Sequence, residues 1–200
     1  MASDENKRSR IMDFAFSKFN AVGISQVTMD DIAKGVGMGK GTLYKYFPSK
    51  EYLILQTIDY FAGLVERNIE KILADDELTT VQKLNTFLKN VAGQLAKINP
   101  GILEYMERSM PAAYEKITEA RERIMLNNLV RLLKEGKKNG LFHPQMDERL
   151  VTHMMIASVS HLVHYNVMED MNITFDQLFT SIVTVMLWGC LSEEGRKLGY

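Results

Sequence analysis

Residues 28–50, TMDDIAKGVGMGKGTLYKYFPSK, decide how the rest of the chain is read. Thr28 followed by Met29, Asp30 and Asp31 is an S/T-x-x-D arrangement. Its hydroxyl can accept from a free backbone N–H, and its carboxylates suit the positive end of a helix, so a helix starts near Met29. Ile32, Ala33 and Val36 share one face of it, and Ala33 is small enough to let a second helix cross closely. Gly37 can take the positive φ that ends this helix. Gly39 is a permissive N-cap for a second short helix, Lys40 to Phe47, anchored by Leu43 and Phe47 at i, i+4. Its other face carries Lys40, Thr42, Tyr44, Lys45 and Tyr46. Two short helices joined by a glycine corner, the second basic and hydroxylated outward, make a helix-turn-helix suited to the DNA major groove.

Ile32-Ala33, Gly37, Lys40-Gly41-Thr42-Leu43-Tyr44, Tyr46-Phe47 and Ser49-Lys50-Glu51 resemble the N-terminal DNA-binding signature of TetR-family transcriptional regulators. The resemblance covers roughly residues 8 to 55. Val36, Met38 and Gly39 depart from the commonest pattern, and none of the three removes a DNA-facing group. On this reading Lys40 and Lys45 reach base edges or flanking phosphates, and Gly41 permits close approach to the groove wall. Thr42, Tyr44, Tyr46 and Lys50 hold phosphates, and Thr28 and Met29, at the start of the first short helix, complete the DNA-binding set.

The charge distribution agrees in sign. The net charge of the 200-residue chain is −1, but residues 1–50 hold eight Lys/Arg against five Asp/Glu. The single cysteine, Cys190, excludes an intrachain disulfide and a cysteine-rich metal site, and reads as a buried structural thiol. No apolar run is long enough to span a bilayer and the first ten residues lack an apolar export core, so a cytoplasmic protein without a membrane partner is expected.

Outward from the helix-turn-helix, residues 1–6 read as a frayed polar tail. Lys7, Arg8 and Arg10 are either a solvated charged tail or an arm that touches DNA. Ile11, Phe14, Ala15, Phe19 and Val22 repeat at helical spacing as the buried face of helix one, which Gly23 stops. After Pro48, Ser49 caps a long fourth helix running to about Leu73. Thr79 or Thr80, with Gln82 at the capping-box position, starts helix five. Asn99-Pro100-Gly101 breaks the chain before a short helix around Ile102 to Met110. Pro111 opens helix seven, Asp147 caps helix eight (to about Glu169), and Thr174 with Gln177 caps helix nine. The expected fold is therefore all-α, of about nine helices: a helix-turn-helix DNA-binding domain over 1–50 and a helical effector-binding and dimerisation domain over 51–200.

Helix nine is apolar around most of its circumference, too wide for a helix with one face in solvent. A second copy of the chain covering helices eight and nine across a two-fold axis is the economical answer, and it is what the resemblance implies. The residues assigned to that interface are His153, Ala157, His161, His164, Phe179, Ile182, Val183 and Met186. Dimerisation also supplies paired reading heads for a palindromic operator.

Thirteen methionines are many. Each is either adaptable core filling or part of a pliable wall around a hydrophobic effector. The resemblance implies an effector pocket, for which Phe61, Phe87, Tyr105, Met106, Met110, Met125 and Leu129 are the candidate lining.

His161 and His164 could chelate one metal, but polar or interface histidines are the better account of them, and no metal site is assigned. The glycines from Gly35 to Gly41 fail the spacing of a phosphate-cradling loop. No Ser/His/Asp set, paired carboxylates or HExxH motif is present, so neither enzyme chemistry nor a cofactor is expected. The function read from the chain is a homodimeric DNA-binding repressor released by a small hydrophobic effector. The alternative is a helical ligand-sequestering or protein-interaction module with a vestigial helix-turn-helix, against which the intact outward set on the second short helix argues.

Overall fold

The computed structural model describes residues 2–162, 168 and 170–197. Ten helices lie among the described residues: α1 (Ala2–Val22), α2 (Met29–Gly35), α3 (Lys40–Tyr46), α4 (Lys50–Leu73), α5 (Thr80–Leu95), α6 (Pro100–Ser109), α7 (Pro111–Lys138), α8 (Glu148–Leu162), α9 (Phe175–Cys190) and α10 (Glu193–Lys197). The only extended pairing among them is an isolated antiparallel bridge between Phe142 and Leu191. The all-α expectation holds, with the short α10 as the addition to the expected nine.

The chain divides into two compact units, residues 1–64 with 97–120, and residues 65–96 with 121–200. The first unit contains α1, α2, α3, the first half of α4, α6 and the start of α7. One core joins them: Ile11, Ala15 and Phe19 of α1 meet Ile32 and Ala33 of α2, Leu43 and Phe47 at α3, Leu53 and Ile54 of α4, and Ile102 and Met106 of α6. The Asn99 backbone N–H donates to the Asn20 side chain at 2.9 Å, and Lys116 pairs with Asp59 at 2.8 Å, so α6 is fastened to α1 and α7 to α4 by polar contacts too.

The second unit is built on Leu84, Phe87 and Leu88 of α5, Leu129, Leu132 and Leu133 of α7, and Leu178 and Leu187 of α9. Here α7 runs in the same direction as α4, since Arg123 pairs with Glu66 at 3.1 Å and Arg131 with Glu70 at 3.5 Å. Thr80 donates to Glu135 at 2.7 Å and accepts from Asn139 at 2.9 Å, which ties the start of α5 to the end of α7. α9 packs along α8.

Helix ends follow local chemistry. Capping boxes close α2 (Thr28 with Asp31), α5 (Thr79 with Gln82) and α9 (Thr174 with Gln177). Gly23 ends α1 at φ +88°. Gly37 sits at φ +66°, and beside it the Gly37 N–H reaches the Lys34 carbonyl and the Met38 N–H the Ala33 carbonyl, the paired bonds that terminate a helix through a left-handed residue.

The structure corrects three expectations. Helix one begins at Ala2, so residues 2–6, read as part of a frayed tail, are helical, and Asp4 accepts from the Tyr46 hydroxyl of α3. Val22, assigned to the buried face of that helix, is its last residue and is 48 % exposed. Cys190 is only half-buried; burial nonetheless raises its thiol pKa. The expected end of helix eight near Glu169, and His164 with it, lie outside the described residues.

Candidate nucleic-acid interface

α3 is fixed from beneath and open above. Leu43 and Phe47 are fully buried, whereas Lys40, Gly41, Thr42, Tyr44 and Lys45 are exposed. A Cβ placed on Gly41 would meet nothing within 4 Å, so this side of the helix is open to a close approach.

Contacts from α1 hold both short helices at their C-terminal ends. The Arg10 guanidinium donates to the carbonyl of Val36, which closes α2. Arg8 donates to the Tyr46 carbonyl at 3.2 Å and to Gln56 Oε1 at 3.5 Å, and its guanidinium lies 4.8 Å from the centre of the Phe47 ring. A cation at a helix C-terminus meets unsatisfied carbonyls and the negative end of the helix dipole. Of the two readings of this basic run, neither covers Arg8 and Arg10: both guanidiniums fold back onto the protein. Lys7 lies 3.9 Å from Asp4 on the exposed side.

The residues assigned to DNA differ in how far the protein engages them. Thr42, Tyr44 and Lys45 are exposed. Lys40 and Tyr46 are engaged by carboxylates. Lys40 Nζ lies 2.8 Å from Asp30, which raises its pKa, and the Tyr46 hydroxyl donates to Asp4 at 2.8 Å, which raises that of the phenol. Lys50 is half-buried at the start of α4, and burial lowers its pKa. Thr28 is occupied as a cap: its backbone N–H donates to Asp31 at 2.9 Å and its hydroxyl to the same carboxylate at 2.6 Å. The Met29 side chain is 7 % exposed and belongs to the core, so a contact from this residue has to come from its backbone. Tyr52, 38 % exposed with its ring 6.3 Å from Phe47, lies beside this surface and was not singled out from the sequence. Its aromatic character next to the Ser49 cap is the signal that was there to find.

Residues 11–57 match the family described as bacterial regulatory proteins, tetR family, and residues 64–189 match that described as YsiA-like protein, C-terminal region. The chain belongs to the TetR family. It is a DNA-binding transcriptional regulator. Among curated relatives of this TetR-family chain, a fatty acid metabolism regulator protein of Bacillus subtilis is 28 % identical, over 94 % of this chain and 98 % of that one. Among solved structures, the fatty acid degradation regulator FadR from Bacillus halodurans superposes with a TM-score of 0.67 at 26 % identity, covering 90 % of this chain and 94 % of that one. FadR from Bacillus subtilis, solved in complex with stearoyl-CoA, gives 0.65 at 25 % identity, covering 90 % and 97 %.

The other candidate residues fall as follows. Of the proposed effector lining, Tyr105, Met106 and Met110 pack on the core of the first unit, and Phe61 stacks on Phe16 with ring centres 4.3 Å apart. Phe87, Met125 and Leu129 belong to the second unit, where all three are buried. An open groove of about 470 Å³ on α7, lined by Asn127, Val130, Arg131, Lys134, Glu135 and Lys138, includes none of them.

Of the interface set, His153, Ala157 and His161 are exposed along one side of α8, the side that also shows Leu150 and Met154. Val183 and Met186 are half-buried. Phe179 and Ile182 are 4 % and 8 % exposed and face the protomer's own core. The exposed apolar residues of α9 are Val185 and Trp188, which the sequence reading left out of the set. No helix among the described residues is long and apolar enough to cross a membrane.

Proposed function

We propose that this regulator is a homodimeric repressor that reads a palindromic operator through α3 of each protomer and is released by a hydrophobic small molecule. The observation that carries the reading is the exposed row Lys40, Gly41, Thr42, Tyr44 and Lys45 above the buried anchors Leu43 and Phe47. A short helix so mounted presents donors to a groove. Lys40 and Lys45 reach base edges or flanking phosphates, while Thr42, Tyr44 and Lys50 hold phosphates and set the register. On this reading residues 1–50 bind DNA and residues 51–200 serve effector binding and dimerisation.

Dimerisation runs through the apolar line formed by Leu150 and Met154 on α8 and Val185 and Trp188 on α9, together with His153, Ala157 and His161. Effector control acts through α6, whose Tyr105, Met106 and Met110 share a core with the reading head. A ligand that repacks those side chains need only prefer the non-binding arrangement by about 1–3 kcal/mol. The stearoyl-CoA bound by the related FadR supports a long acyl chain as the ligand class, and thioether side chains suit such a chain.

Selection of binding sites from random duplex DNA, followed by a salt titration on the selected duplex, tests the reading. About six to eight neutralised phosphates per dimer give a slope of about −5 to −7 in log K against log salt. A slope near zero, or no selected sequence, refutes it. Stearoyl-CoA added to the complex tests release, and undiminished DNA affinity with stearoyl-CoA bound refutes the effector class.

A further inference from the structure

Lys40, the first residue of α3, makes an ion pair with Asp30, the second residue of α2, at 2.8 Å. Both side chains face solvent, with 61 % and 49 % of their surface exposed. Asp30 has no part in ending its own helix, because the capping box at Thr28 is closed by Asp31. The pair therefore joins the two helices of the reading head on the side that meets DNA.

An ammonium group matched by a carboxylate has lost much of its attraction for a second anion, yet it keeps donors. Lysine carries three N–H groups, and Asp30 Oδ1 takes one. The guanine edge offers two neutral acceptors, O6 and N7, which can approach the remaining N–H groups without meeting repulsion. A phosphate approaching the same ammonium has to sit beside the Asp30 carboxylate, and like charges at that range oppose it. The carboxylate thus acts unequally on the two kinds of acceptor that duplex DNA presents.

We propose that Asp30 is a specificity-determining residue of the reading head. By holding Lys40 in an ion pair, it directs that side chain's free donors to base edges and away from phosphates, and so lowers affinity for DNA of arbitrary sequence. The inference rests on the assignment of Lys40 to the DNA groove made above. Asp30 also raises the Lys40 pKa, which keeps the ammonium protonated through the neutral range.

The test uses the full-length protein and two duplexes of equal length, one selected by the wild type from random DNA and one of mixed sequence, with binding followed by fluorescence anisotropy. Asp30→Asn should bind the mixed duplex about fivefold more tightly per reading head, the size of an exposed ion pair. Its salt slope on that duplex should steepen by about 1 per reading head, one more phosphate for each freed lysine. Discrimination between the duplexes should fall correspondingly. In a Lys40→Met background the same substitution should move both affinities alike and leave their ratio unchanged, because the lysine it acts through is gone. Far-ultraviolet circular dichroism establishes that each variant is folded. An Asp30→Asn variant that shifts both duplexes equally, or weakens both, overturns the proposal. If Lys40→Met abolishes discrimination while Asp30→Asn leaves it intact, the inference falls and the proposed function stands. If Lys40→Met changes neither affinity, both fall.

Discussion

The guanidinium of Arg8 lies 4.8 Å from the centre of the Phe47 ring while donating to the carbonyl of Tyr46, the last residue of α3. One side chain from α1 thus fastens the end of the reading helix and covers the aromatic anchor that seats it. Arg8 lies just before residues 11–57, the stretch that matches the TetR family. Arg8→Ala should lower stability by about 2 kcal/mol, the low end of the sum expected of a partly exposed cation–π contact and a charged hydrogen bond. It should weaken operator binding as well, because α3 loses its C-terminal fastening. Arg8→Lys should recover little, since an ammonium does not stack as a planar guanidinium does. Denaturant titration read beside operator affinity checks all three statements, and full stability in Arg8→Ala would contradict them.

Gly41 offers a separation of folding from binding. It sits inside α3 with open space where a Cβ would lie. Gly41→Ala should therefore stabilise the fold by about 0.5–1 kcal/mol, through the lower conformational freedom of the unfolded chain and the better helix propensity of alanine. The added methyl group stands on the groove-facing side, so operator affinity should fall while the melting temperature rises. Parallel movement of both quantities would show that Gly41 does not face DNA.

The start of α2 carries a pH signature. The Thr28 hydroxyl, then its backbone N–H, donate to the Asp31 carboxylate and hold its pKa below the ordinary aspartate range. A carboxyl group whose folded value lies below its unfolded one contributes stability that is fully present above the unfolded value, about 4. The contribution is lost as pH falls through the folded value. Asp31→Asn should thus be less stable than wild type at pH 7, and the deficit should narrow progressively below about pH 4. Thermal melts of the two proteins across that range decide it; a deficit that stays constant down to pH 2 would mean the carboxylate charge is not the cause.

Much of this architecture could be read from local chemistry. Thr28 with Asp31, Thr79 with Gln82, Thr174 with Gln177 and the Gly37 corner mark helix ends by hydrogen bonds between near neighbours, and those ends fall where the residues place them. The first turns of α1 carry no such mark, and the bonds that engage them reach residues 38 to 48 positions away: Asp4 to Tyr46, Arg8 to Tyr46 and Gln56. The grouping of α6 with the reading head depends likewise on packing between Met106 or Ile102 and residues far back in the chain. The ion pair between Asp30 and Lys40 was out of reach for the same reason, because it forms only once the corner has folded. On α9 the apolar pattern announces burial from two sides but gives Phe179 and Val185 equal claims to either. Only the position of α8 settles that Phe179 faces inward while Val185 remains 74 % exposed.

That outward side of α9 yields the last prediction. Val185 and Trp188, 74 % and 44 % exposed, follow one another at i, i+3 on α9, and Leu150 and Met154, 59 % and 51 % exposed, at i, i+4 on α8. Apolar side chains this large in two neighbouring helices are unfavourable in water unless another surface covers them, and a two-fold partner does so with the same residues. Trp188→Glu places a charge in that contact twice per dimer. At about 2 kcal/mol for each copy, typical of a buried tryptophan anchor, the dimer dissociation constant should rise about a thousandfold. Val22→Glu, which alters a comparably exposed apolar residue of α1, should leave association untouched. Sedimentation velocity over a concentration series compares the two variants directly. An intact Trp188→Glu dimer at micromolar protein would place the two-fold contact elsewhere on the chain, and loss of the dimer in both variants would point to general destabilisation and away from a contact made by α9.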